Sequence, residues 1–92
     1  MAHTIHEKTK LLQRVRRLRG QVTAIERALE KDADCAEVMQ LTVAVRGASN
    51  SLMAELLEDH IRHHVVDPAS EKDPDKAKGA ADLIDVVRTY LK

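Results

Sequence analysis

His60 and His64 stand four residues apart, the spacing that sets two imidazoles on one face of an α-helix. A pair so placed can chelate a transition metal, because either ring nitrogen serves as a ligand. Read alone, it fits the solvated polar end of a helix equally well. His63 is turned about 100° away from them, which leaves it a surface or supporting residue. Cys35 is the only cysteine, so no internal disulfide forms, and a lone thiol suits the reducing cytoplasm. It follows Asp34, where a helix should open, and a helix N-terminus favours the thiolate that ligates metals and attacks electrophiles. Buried filler is the commoner fate of a free cysteine, but a first-turn site flanked by Asp34 and Glu37 argues against it.

Along a straight helix Cys35 and His60 would be about 37 Å apart, too far to share an ion within one chain. Two copies paired antiparallel would set the start of one such helix beside the end of the other. A Cys35–His60–His64 site would then form across the interface. His3, just ahead of the first helix, can reach in as a fourth ligand. Removal of Met1, which the small Ala2 permits, would free an amine as a fifth.

Arg14, Arg16, Arg17 and Arg19 crowd four guanidinium groups into six residues, and residues 8 to 25 hold no acid. With no aromatic residue between them, such a strip suits backbone phosphates better than stacked single-stranded bases. Arg46 would lie on the second helix, where it can join the strip or serve as a structural ion-pair partner. The formal net charge is zero, yet residues 1–31 carry eight basic against three acidic side chains, and the rest seven against twelve. A neutral chain polarised in this way can still turn a basic face to a polyanion.

The elements that must hold these residues are helices. Thr4-Ile-His-Glu7 is a capping-box sequence, followed by apolar residues at Leu11, Val15, Leu18, Val22, Ile25 and Leu29. Their 4-3-4-3-4 spacing predicts a helix over about 5–30 with a partner along its whole length. Asp34-Cys-Ala-Glu37 opens a second helix, expected over 34–65, with Val38, Leu41, Val45, Ala48, Leu52 and Leu56 as its stripe. The stripe passes Gly47 without losing phase, which disfavours a turn there. Residues 67–73 read as a connector. Asp73-Pro74 then starts a third helix over 74–91, whose apolar side would be Leu83, Ile84, Val87, Tyr90 and Leu91. The expected fold is all-α, a single domain over 1–92, with two long antiparallel helices and a short third. A second helix of that length overhangs so small a chain, which implies pairing with copies of itself.

Ninety-two residues suffice for one small core. The chain has no Trp or Phe and one Tyr, which disfavours an all-β fold and a base-stacking RNA binder. It has no apolar run of membrane-spanning length and no leader pattern, so neither membrane insertion nor secretion is expected. Cys35 with His60 could form a nucleophile–base pair, but an enzyme is disfavoured in a chain this small. A metal-storage protein would account for the Cys and His residues and leave the arginine strip unexplained.

The chain resembles the copper-sensing and nickel/cobalt-sensing repressors of the CsoR/RcnR type, which include formaldehyde sensors. The resemblance spans nearly the whole chain. It rests on Arg14-Val-Arg-Arg-Leu-Arg-Gly-Gln21, Asp34-Cys35, Ala44-Val-Arg-Gly-Ala48, Asn50-x-Leu-Met53 and His60-x-x-x-His64. It implies a disc-like dimer of dimers that binds double-stranded operator DNA when effector-free and releases it when an effector binds between protomers. Arg14, Arg17 and Arg46 match the family's DNA-contacting positions. His3, Cys35, His60 and His64 match the ligand set of the nickel/cobalt branch, which implies Ni(II) or Co(II) as effector and control of a metal efflux gene. Copper(I) sensors place a second Cys where His64 stands, and formaldehyde sensors use an N-terminal Pro where this chain has Ala2. Cu(I), Zn(II), or formaldehyde acting on Cys35 and the N-terminal amine are the alternatives.

Overall fold

The computed structural model of the chain describes residues 7–91. His3, Thr4 and the expected capping box that Thr4 would open lie outside the described residues. Three helices follow in order, α1 (Lys8–Glu30), α2 (Cys35–His64) and α3 (Pro74–Tyr90), and the described residues include no strand. The all-α three-helix protomer is therefore as expected. Two compact units divide the chain: one is Glu7–Leu52, and the described part of the other is residues 53–91.

In the first unit, α1 begins later than the capping box predicts. Glu7 is itself the N-cap, left-handed at φ 60°, and its side chain makes no capping hydrogen bond. A residue in that conformation cannot belong to the first helical turn. α1 closes with a Schellman arrangement: Ala33 N–H donates to the Ala28 carbonyl at 2.9 Å, and Asp32 N–H to that of Leu29 at 3.2 Å. Asp32 occupies the left-handed position at φ 56°, where glycine is the usual residue. A link this short reverses the chain into a helical hairpin. Asp34 then caps α2, its Oδ1 accepting from the Glu37 N–H at 2.9 Å.

The face that α1 buries differs from the expected stripe. Leu11 and Ala28 are buried, and Arg14, Leu18, Gln21 and Ile25 are half-buried. These positions follow a 3-4-3-4-3 spacing. Val15, Val22 (50%) and Leu29 (60%) are exposed instead. The two candidate stripes share Leu11, Leu18 and Ile25 and differ at the alternate positions by one residue, about 100° of rotation. On α2 all six expected stripe residues are half-buried, and the helix runs unbroken through Gly47.

In the second unit, Ile61 near the end of α2 is buried, together with Ala80 and Ile84 of α3. The inward side of α3 is Ala77, Ala80, Ile84, Val87 and Leu91, while Leu83 and Tyr90 (82%) are exposed. Their assignment to the packed side is thus corrected: 77-80-84-87-91 keeps one helical face, and Leu83 and Tyr90 lie off it. Between α2 and α3, Asp67 Oδ1 accepts from the Ala69 N–H at 3.0 Å, and the Asp67 carbonyl accepts from Ser70 and Glu71. Asp73 caps α3 by accepting from the Asp75 N–H at 2.9 Å, and Pro74 opens the helix.

Candidate metal site and cationic surface

His60 and His64 are brought together as their spacing predicts. Both are exposed, and their ring centroids are 5.1 Å apart with the planes tilted by 35°. Two accessible imidazoles at that separation are a donor pair that fits a transition metal. His63 faces elsewhere, with its Nε2 3.7 Å from Asp59 Oδ1.

Cys35 is exposed at the first position of α2, while the histidine pair closes the same helix. No group of three or more His, Cys, Asp or Glu among the described residues is placed to hold a metal ion. A single chain therefore offers two separate parts, a thiol in the first unit and an imidazole pair in the second.

The histidine turns of α2 are held from their other side. Glu58 accepts from Arg62 Nε at 3.0 Å and from α3 through a two-point contact, Arg88 Nε to Oε1 at 2.9 Å and Arg88 Nη2 to Oε2 at 2.8 Å. Arg62 continues to Asp67 Oδ1 at 3.5 Å. Partial burial disfavours the Glu58 charge. The hydrogen bonds from Arg62 and Arg88, with their positive charges, outweigh it and hold the carboxyl below its ordinary value. Sequence reading missed this pair. Its two members are thirty residues apart, and no local spacing joins them.

The arginines of α1 do not form one surface. Arg16, Arg17 and Arg19 are exposed, and Arg14 is half-buried on the packed face. Helical geometry sets Arg17 at the edge of that face and Arg16 and Arg19 on the far side. Arg46 on α2 is exposed. Gln21, a heptad beyond Arg14, has a buried Oε1 that accepts no hydrogen bond among the described residues. The 14-21-28 spacing was the one available sign that Arg14 and Gln21 share the packed face.

A family model described as a metal-sensitive transcriptional repressor matches residues 7–89. The transcriptional repressor RcnR of Salmonella paratyphi B is 37% identical over 95 residues, covering all of both chains. A Serratia marcescens protein described as an "uncharacterized protein in bioA 5′ region" is 45% identical over 93 residues, again with full coverage of both. Among solved structures, a glutamate-to-histidine variant of the formaldehyde-responsive regulator FrmR from Salmonella enterica serovar Typhimurium is 44% identical. It superposes with a TM-score of 0.65 over 96% of this chain and 98% of that one.

Proposed function

Because the chain belongs to the metal-sensitive transcriptional repressors, a family of regulators and not of enzymes, we propose that it represses an efflux gene in the cytoplasm and responds to Ni(II) or Co(II). The observation that carries this reading is the exposed His60–His64 pair, with ring centroids 5.1 Å apart, on the helix that begins with exposed Cys35. In an antiparallel pair of copies, Cys35 of one protomer joins His60 and His64 of another, and His3 completes the set. One thiolate among several imidazoles is a borderline donor set that suits Ni(II) and Co(II). Zn(II) is satisfied by four ligands, and Cu(I) prefers more sulfur.

DNA is held by the exposed Arg16, Arg17, Arg19 and Arg46, with Arg14 contributing from the packed side of α1. Closing the Cys and His side chains on the effector ties two protomers together and realigns those arginines. A coupling of about 1–3 kcal/mol would change DNA affinity about 5- to 150-fold.

The similarity to FrmR at 44% identity favours one second reading, a response to formaldehyde. The Cys35 thiol and the N-terminal amine would condense with formaldehyde, releasing water and leaving a methylene bridge between sulfur and nitrogen. A single experiment separates the two. Ni(II), Co(II), Zn(II), Cu(I) and formaldehyde are each titrated into the protein bound to a duplex selected from random sequences by the metal-free protein. Release at the lowest free Ni(II) or Co(II), abolished in Cys35→Ala and blunted in His64→Ala, is expected. Release by formaldehyde alone transfers the function to the second reading, and no release by any of the five overturns both.

A further inference from the structure

We propose that the Glu58–Arg88 ion pair is a positioning clamp that makes α3 the transmitting element between the histidine pair and the DNA-bound state. The inference rests on the effector-responsive reading above and deepens it.

The last turns of α2 have two working sides. Glu58, Ile61 and Arg62 lie on one, and His60 and His64 lie about 130° round the helix from them. The first side is held in two ways. Ile61 is buried, as are Ala80 and Ile84 on the inward side of α3, and the Glu58 carboxylate takes both nitrogens of the Arg88 fork at 2.8–2.9 Å. A two-point guanidinium–carboxylate contact fixes orientation as well as distance, unlike apolar packing, which tolerates sliding. Arg62 extends the same network to Asp67, whose carboxylate and carbonyl organise the connector that leads into α3.

A pull on His60 and His64 therefore cannot tilt or rotate these turns without moving Arg88 or breaking its contact. α3 follows, and its outward face carries exposed Leu83, Val86 and Tyr90. With the clamp cut, the histidines can still take up an effector, but the displacement is absorbed within α2.

The test uses full-length protein, Co(II) as the probe and the selected duplex described above. The wild type should lose DNA affinity by about 5- to 150-fold on Co(II) loading, and Co(II) should change amide hydrogen exchange across residues 82–90. Arg88→Gln should keep Co(II) affinity within about threefold and keep its thiolate-to-metal absorption. Its Co(II)-dependent change in DNA affinity should fall to about twofold or less, and the exchange change over residues 82–90 should vanish. Arg88→Lys, which restores one charged contact, should recover part of both responses. If Arg88→Gln fails to fold, Arg88→Lys decides by itself: a reduced response with intact Co(II) binding supports the clamp. A response equal to wild type in folded Arg88→Gln, or in Arg88→Lys where Arg88→Gln does not fold, overturns it. A wild type that shows no release with Co(II), Ni(II) or formaldehyde overturns the underlying function instead.

Discussion

At the scale of single residues, three side chains have work set by backbone and helix geometry. Asp32 sits at φ 56°, a conformation that costs an ordinary L-residue about 1–2 kcal/mol and glycine little. Asp32→Gly should raise the denaturation midpoint and Asp32→Val should lower it by about 1–2 kcal/mol of stability, measured by urea unfolding. Equal midpoints would mean that the α1–α2 turn is not formed in solution. Arg17 is exposed, whereas Arg14 is half-buried on the packed face of α1. Arg17→Ala should weaken DNA binding and reduce the slope of log affinity against log salt by about one, with thermal stability unchanged. Arg14→Ala should lower both DNA affinity and stability. A purely electrostatic effect at Arg14, with no loss of stability, would show that its half-burial is not structural.

Among the elements, α2 bears the most conflicting demands. It is 30 residues long, with Gly47 near its middle, and a Cβ added at Gly47 meets no atom within 4 Å. Gly47→Ala should stabilise α2 by about 1 kcal/mol, read as a higher melting temperature. A lower one would mean that another chain approaches that spot closely. The contact between α2 and α3 is pH-dependent through Glu58, whose folded-state carboxyl is held below its ordinary value. Its contribution is full above the unfolded-chain value of about 4.3 and is lost as pH falls through the lower folded value. In chelator-treated protein, Glu58→Gln should be less stable than wild type at pH 7, and the difference should narrow at pH 3. A difference of the same size at both pH values would remove the ion pair from the account of stability.

At the scale of the whole molecule, few of the described apolar side chains are buried: Leu11, Ala28, Ile61, Ala80 and Ile84. Val15, Val22, Leu29, Met39 and Val43 stay exposed in the first unit, and Met53, Val65, Leu83, Val86 and Tyr90 in the second. Each large apolar side chain withdrawn from water contributes about 1.5–3 kcal/mol, so a second copy of the chain is the cover expected for these stripes. Sedimentation at micromolar concentration should show a homotetramer with a dimer as the smallest folded species. Val22→Glu with Leu29→Glu should dissociate or unfold it. A folded monomer in the wild type would refute self-association as the cover. No described helix is long and apolar enough to cross a membrane.

Much of the chain was legible before its structure, because the determinants are local. Three helices follow from apolar periodicity, the starts of α2 and α3 from Asp34 and from Asp73-Pro74, and the pairing of His60 with His64 from a four-residue spacing. The start of α1 was less legible: the helix opens only after Glu7, whose left-handed cap no local pattern announces. Tertiary structure alone decided which face of α1 is packed. The sets Val15-Val22-Leu29 and Arg14-Gln21-Ala28 both complete a heptad with Leu11, Leu18 and Ile25, and the more apolar one is left outside. Periodicity states that a helix has a buried side; only the neighbouring element selects among sides one residue apart. The same holds for Ala80 over Leu83 on α3, and for Glu58 with Arg88, a contact between residues thirty positions apart that exists only once two helices have docked.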